Sequence, residues 1–512
     1  LDLATYNLNF GGNIANSGNI TQTSGIVTAT GTTKTLGGSG NTTLATLNIA
    51  GTIQMIGNVT STDVVTIDAT KSLDAAGYTL MLTKATGSPL LVNGTFTAST
   101  STVNYSGGTS NGIATTTYYN LTVNTAGTLT GNVTSTNLLT INTGKSLAGA
   151  TFNLTLTKAG SPLVISGTGV FSANTSTVYY NPTVGGSLTI PTTTFYNLMI
   201  GNANNTSTLA GPVTVSSTLT LNDNARFDVN GKTLILVANS SAPLVKNGAG
   251  DFAPTSGTIY FSGVAATIAT GTYYGDLYVT ATGNSVLGGN VTTTGALAIN
   301  GASVNLDAAT FNIVLTGSGT PLIIGGGGVF TASTSTVIYS GVVANGVAVA
   351  TYYNLTINTV GTLDGNVTTT NNLTVNSTKS LNLVTYNLYA SGNIANSGNI
   401  TQTSGIVTAT GTTKTLGGSG NTTLATLNIA GTIQMIGNVT STDVVTIDAT
   451  KSLDAAGYTL MLTKATGSPL LVNGTFTAST STVNYSGGTS NGIATTTYYN
   501  LTVNTAGTLT GN

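Results

Sequence analysis

The phrase Thr117-Tyr118-Tyr119-Asn120-Leu121-Thr122-Val123 returns three times within residues 1–380 with its aromatic pair intact. The copies are Thr194-Phe195-Tyr196-Asn197-Leu198-Met199-Ile200, Thr272-Tyr273-Tyr274-Gly275-Asp276-Leu277, and Thr351-Tyr352-Tyr353-Asn354-Leu355-Thr356-Ile357. A worn copy, Thr43-Leu44-Ala45-Thr46-Leu47-Asn48-Ile49, keeps the apolar positions and drops the aromatics. The matching positions are Leu44, Tyr118, Phe195, Tyr273 and Tyr352, and a further worn copy places Leu424 next in the series. A period averaging about 76 residues marks a repeat architecture, in which each unit is stable by stacking on its neighbours. The chain therefore reads as one continuous array over 1–512, not as three or four separate domains.

A longer period lies over the short one. Gly12–Asn132 is identical to Gly392–Asn512, and Leu1–Gly11 resembles Leu381–Ser391. The chain is thus a 380-residue super-repeat, spanning 1–380 and made of five of the shorter units, with 381–512 opening the next. Both ends fall inside the pattern, so the expectation is a window from a longer protein or a truncated last copy. Verbatim duplication on this scale suits a spacer or fibre better than an enzyme.

Local chemistry sets the element type. Thr, Val, Ile and Tyr favour strands, Glu is absent, and the other good helix formers are scarce. Short apolar-polar runs follow one another between turn material: Asn120–Val123, Asn137–Ile141, Phe152–Leu156, Leu163–Ile165 and Thr177–Tyr179 among them. Proline opens the same strand at Pro89, Pro162, Pro243 and Pro321, where it removes no ladder hydrogen bond. Strands so short and so regularly punctuated predict an all-β, three-sided β-solenoid, or β-helix. Some nine runs per unit predict three coils of about 25 residues each. Fifteen coils per super-repeat at about 4.8 Å each would span about 70 Å.

Composition excludes several functions. Net charge is −1 and only 5% of residues are charged, so there is no electrostatic footprint for nucleic acid or anionic lipid. With neither Cys nor His, disulfides, thiolate metal sites and the usual nucleophile–base pairs are unavailable. The chain lacks an apolar run long enough to predict a membrane-spanning helix. An outer-membrane barrel would need a fixed strand number, which a verbatim 380-residue continuation argues against.

The residues that tempt a chemical reading each have a plainer one. The sole Arg, Arg226, lies between Asp223 and Asp228, the best metal candidates in the chain. Yet Phe227-Asp228 aligns with Leu73-Asp74, Leu306-Asp307 and Leu381-Asn382, which predicts a turn cap through its own backbone. Asp63, Asp68 and Asp74 are the densest acidic group, without the spacing of a known calcium loop. Thr-rich runs such as Thr30–Thr35 drift too much for a regular ice-binding array. No cofactor is expected. The positions that define the architecture are Tyr118, Tyr119 and Asn120, Phe195, Tyr196 and Asn197, Tyr273 and Tyr274, and Tyr352, Tyr353 and Asn354. The recurring Asn fits either an axial ladder of stacked amides or a solvated turn.

The phrases YYNLTVN, GTLTGNVT and GTFTASTSTVNYSG resemble the repeats of large bacterial cell-surface β-solenoid proteins of the filamentous-haemagglutinin-like and autotransporter-passenger kind. That resemblance implies secretion, surface display, and an adhesive or fibre-forming role. The expectation is a non-enzymatic extracellular fibre or adhesin stalk that associates with further copies of itself, with cell-surface glycans as further partners. The alternative is a β-helix polysaccharide-active enzyme or glycan-binding passenger domain, for which one unit should depart from the rest around a groove.

Overall fold

A computed structural model of the chain describes residues 1–183, 185–201, 206–238, 242–273 and 275–511. They contain seventy short strands and no helix. The chain divides into two compact units, Leu1–Gly257 and Thr258–Asn512. In each, strands adjacent in sequence lie on different faces, and strands one turn apart pair, always in parallel. The architecture is the expected β-solenoid, with about 25 turns in all.

Three faces make one turn. In the second compact unit, Thr351–Ile357 bends once and carries two faces, and Val360–Leu363 supplies the third. Alternation decides which side chains face inward. Tyr352, Leu355 and Ile357 are buried, whereas Thr351 is exposed and Asn354 and Thr356 half-buried. Valine, leucine and isoleucine line a narrow core, and Thr and Asn line the outside, because parallel in-register pairing stacks like on like.

Coils are shorter than expected. Tyr273 pairs with Thr293, then Leu315, Tyr339 and Ile357, so four turns fit a span expected to hold little more than three. Tyr118 runs through Ser135, Leu156 and Tyr180 to Ile200, again in four turns. The shortfall has a physical cause. Thr117–Val123 and Val133–Ile141 each continue through a corner, and the register between them shifts by a β-bulge between Tyr118 and Asn120. A bulge turns the chain with a single extra residue, where a turn loop takes several. Each long strand thus counts as two faces, and a repeat has eleven, not nine.

Eleven faces are one short of four complete turns. The ladder that starts at Tyr273 therefore reaches Ile357, beyond the equivalent Tyr352 and round the next corner. Tyr352 itself belongs to a second ladder, through Thr369, Ala390 and Ala409. Leu424 belongs to the third, through Ser441, Leu462 and Tyr485. Successive copies of the phrase move round the solenoid one face at a time.

Because residues alternate between core and surface along each strand, inward and outward substitutions should separate cleanly. Leu355→Ala should destabilise by about 2–5 kcal/mol, whereas Thr356→Ala next to it should stay within about 0.5 kcal/mol. The shift in the urea unfolding curve of each variant measures both.

Candidate functional site

The aromatic pair divides its labour at the corner. Tyr118 is fully buried and Tyr119 half-buried on the bulge, and the same holds for Phe195 with Tyr196 and for Tyr352 with Tyr353. Tyr274 lies outside the described residues; its neighbour Tyr273 is fully buried. The Tyr118 hydroxyl meets the Tyr105 hydroxyl at 2.8 Å and donates to the Ala114 carbonyl at 2.9 Å. The Ala114 N–H donates to the Tyr105 oxygen at 3.1 Å, which closes the network. Tyr339, Tyr352 and Ala348 repeat it, as do Tyr485, Tyr498 and Ala494. The rings meet edge-on, with centroids 6.4 Å apart for Tyr105 and Tyr118.

Two repeats break this network: Phe261 stands where Tyr105 does beside Tyr273, whose hydroxyl donates to the Ala269 carbonyl at 2.7 Å, and the repeat of Tyr180 changes both partners. Phe195 stands where Tyr118 does, and Pro191, which has no N–H, stands where Ala114 does. The fully buried Tyr180 hydroxyl has lost both partners and has no hydrogen bond among the described residues. An orphaned buried hydroxyl costs about 1–3 kcal/mol.

The Asn that follows the pair forms an axial ladder, the first of its two expected roles. Asn137 donates to Asn120 at 2.7 Å, and Asn120 donates to Thr102 at 3.3 Å. Asn371, Asn354 and Thr336 repeat the arrangement at 2.9 and 3.3 Å, and Asn197 reaches Thr177 at 3.4 Å. The ladders are short, since the phrase moves to another face after one repeat.

The carboxylates act as turn caps. Asp228 is buried and accepts from the N–H groups of Asn230 and Thr255 and from the Thr255 hydroxyl, each at 2.8 Å. Asp74, Asp307 and Asn382 each cap the residue two ahead in the same way. The capped Ala76, Asn230, Ala309 and Val384 all have φ between +51° and +55°, a left-handed turn that the side-chain oxygen stabilises. Asp223 is exposed, lies on the other side of the strand Arg226–Asp228, and accepts from the Ala249 N–H at 2.7 Å. Arg226 pairs with Asp251 at 3.6 Å, both more than half exposed, a contact worth at most about 1 kcal/mol. Asp63, Asp68 and Asp74 also part company: Asp63 holds Lys84, Asp68 accepts from Asn48, and Asp74 caps its turn. Among the described residues no three metal-ligating side chains converge.

The worn repeat departs from the others at its corner. Leu44 pairs with Ser61 as Tyr118 pairs with Ser135, which places Ala45 at the corner held by Tyr119 elsewhere. Asp63 takes the place of Asn137, and a Thr46–Asp63 hydrogen bond of 3.1 Å replaces the Asn–Asn rung. The other carboxylate oxygen holds Lys84 in an ion pair. In the second copy, Thr426, Asp443 and Lys464 repeat these contacts, and there the corner opens into a cleft of about 430 Å³. Ala425, Gly405, Ser404, Thr442 and Thr466 line it beside the ion pair. In the sequence the loss of the aromatics here reads as wear. The concurrent change of Asn to Asp is the signal of a specialised corner.

Comparison with protein families, with curated proteins and with solved structures finds no match.

The hydroxyl network and the caps set the pH range of stability. Burial pushes Tyr105 and Tyr339 up to about 12, against an ordinary 10.0. The unfolded chain ionises first, so this stabilisation is complete below about pH 10 and lost as pH rises toward 12. Burial raises Asp74, but hydrogen bonds from Gln54, the Ala76 N–H and Ser99 outweigh it and hold the carboxyl below its ordinary value. The Lys84 hydrogen bond lowers Asp63 in the same direction. These contributions are present above about pH 4 and lost below it. The melting temperature should therefore be level from about pH 5 to 10 and fall on both sides. Tyr118→Phe should cost about 1–3 kcal/mol by taking the hydroxyl partner from Tyr105, whereas Tyr180→Phe should be neutral or stabilising. Thermal unfolding of the two variants side by side checks the contrast.

Proposed function

We propose that this chain is a structural protein of the cell exterior, a fibre or adhesin stalk built from stacked β-coils and able to associate with further copies of itself. The observation that carries the reading is the reuse of one packing scheme without change of plan. The duplicated stretches make the same register pairs and the same side-chain contacts in both places. A scheme in which every coil pairs only with the coil before and after can be lengthened without redesign. Low charge supports association, since little colloidal repulsion keeps like surfaces apart. No chemistry is assigned to the chain: the aspartates at Asp74, Asp228 and Asp307 support turns, which favours a non-catalytic role.

A filament in which the coils run on unbroken would carry about 18 of them per 380-residue block, an axial period of about 90 Å at about 4.8 Å per coil. Electron microscopy of the native material should show filaments with that axial period. Material that stays as separate particles at high concentration would remove the self-association part of the reading.

A further inference from the structure

The open corner at Asp443 and Lys464 has a lining that the corners built on an aromatic pair lack. At the ordinary corner a half-buried tyrosine stands on the bulge, and an Asn–Asn rung closes the surface beside it. Here the corner residue is Ala425, and the rung is a carboxylate with an ammonium drawn against it. The pair stays accessible, with Lys464 28% and Asp443 48% exposed. Gly405 sits on the wall with φ +94°, where a Cβ would come within 2.7 Å of the Thr385 and Tyr386 carbonyls. That wall therefore has to be bare backbone. The identical residues at Ala45, Asp63 and Lys84 make the same ion pair and the same threonine contact.

We propose that this cleft binds one or two sugar rings of a neutral glycan. A volume of about 430 Å³ lies in the range of small-molecule sites. Its groups alternate acceptors and donors: a carboxylate that takes hydroxyl hydrogens, an ammonium that gives to sugar oxygens, and Thr and Ser hydroxyls that do either. Ala425, Ala465 and Gly405 leave room for the C–H face of a pyranose. Other ligands fit less well. A phosphate would face a carboxylate, and the single lysine is already neutralised by it. A divalent cation would find one carboxylate where it needs several. An apolar ligand would leave the polar lining unpaired. The proposal concerns ligand capture and stands apart from whether the chain forms filaments.

Saturation-transfer NMR on the intact chain with glucose, galactose and N-acetylglucosamine as probes tests it. At least one sugar should receive transfer. Two double variants decide where it binds: Ala45→Tyr with Ala425→Tyr restores the tyrosine that other repeats carry, and Asp63→Asn with Asp443→Asn restores their amide. Each should weaken the sugar about tenfold or more, the effect of losing hydrogen bonds to a charged group, with the far-UV circular dichroism unchanged. No transfer from any probe overturns the proposal, as does transfer undiminished in a folded tyrosine variant. Should the tyrosine variant unfold, the asparagine variant decides alone. Filament formation, scored by microscopy on the same samples, should persist in both variants, which separates loss of the sugar site from failure of the fibre reading.

Discussion

Parallel, in-register pairing between successive coils is the constraint on which everything else in this molecule depends. Each strand offers its backbone N–H and C=O groups along the axis, and only another strand at the same azimuth can take them. That demand fixes the side-chain rule, with one residue in and the next out. It also explains why Asn and Thr recur at ladder positions: each can bond to a counterpart a coil away, as Asn137 does to Asn120 and Asn120 to Thr102. A buried polar side chain that finds no partner on the ladder or across the core is left stranded, as Tyr180 is.

Much of this was legible in the sequence because period and alternation are properties of the letters. The recurring aromatic phrase, the strand-opening prolines, the absence of Glu and the scarcity of other helix formers led directly to a three-sided solenoid. The Asp turn caps followed from aligning Asp228 with Asp74 and Asp307. Coil length was not legible. A bulge such as that at Tyr118–Asn120 has no turn residues to mark it, so Asn120–Val123 reads as the run and the face at Thr117–Tyr118 goes uncounted. The open corner was hidden for a related reason. Ala45 looks like decay of an aromatic pair until Asp63 is seen to sit beside it in space, one coil further on and bonded to Thr46.

The repeat tolerates two kinds of change, and they differ in their physics. Around Phe195, two partners of a buried hydroxyl vanish together, and the fold absorbs a local loss of about 1–3 kcal/mol. In the worn repeat the substitutions compensate one another: an amide rung becomes a carboxylate, and a lysine answers it. The first reads as drift held up by neighbouring coils. The second creates a new surface without disturbing the backbone ladder on either side, where Val65 still pairs with Leu47 and Leu90.

An eleven-face repeat on a three-faced body behaves like a thread whose lead does not divide evenly. Gaining or losing one repeat turns whatever lies beyond it by a third of a revolution, and three repeats restore the original bearing. Recombination between near-identical repeats would thus alter direction as well as length. A ligand site carried by such a chain would sweep to a new heading with each event.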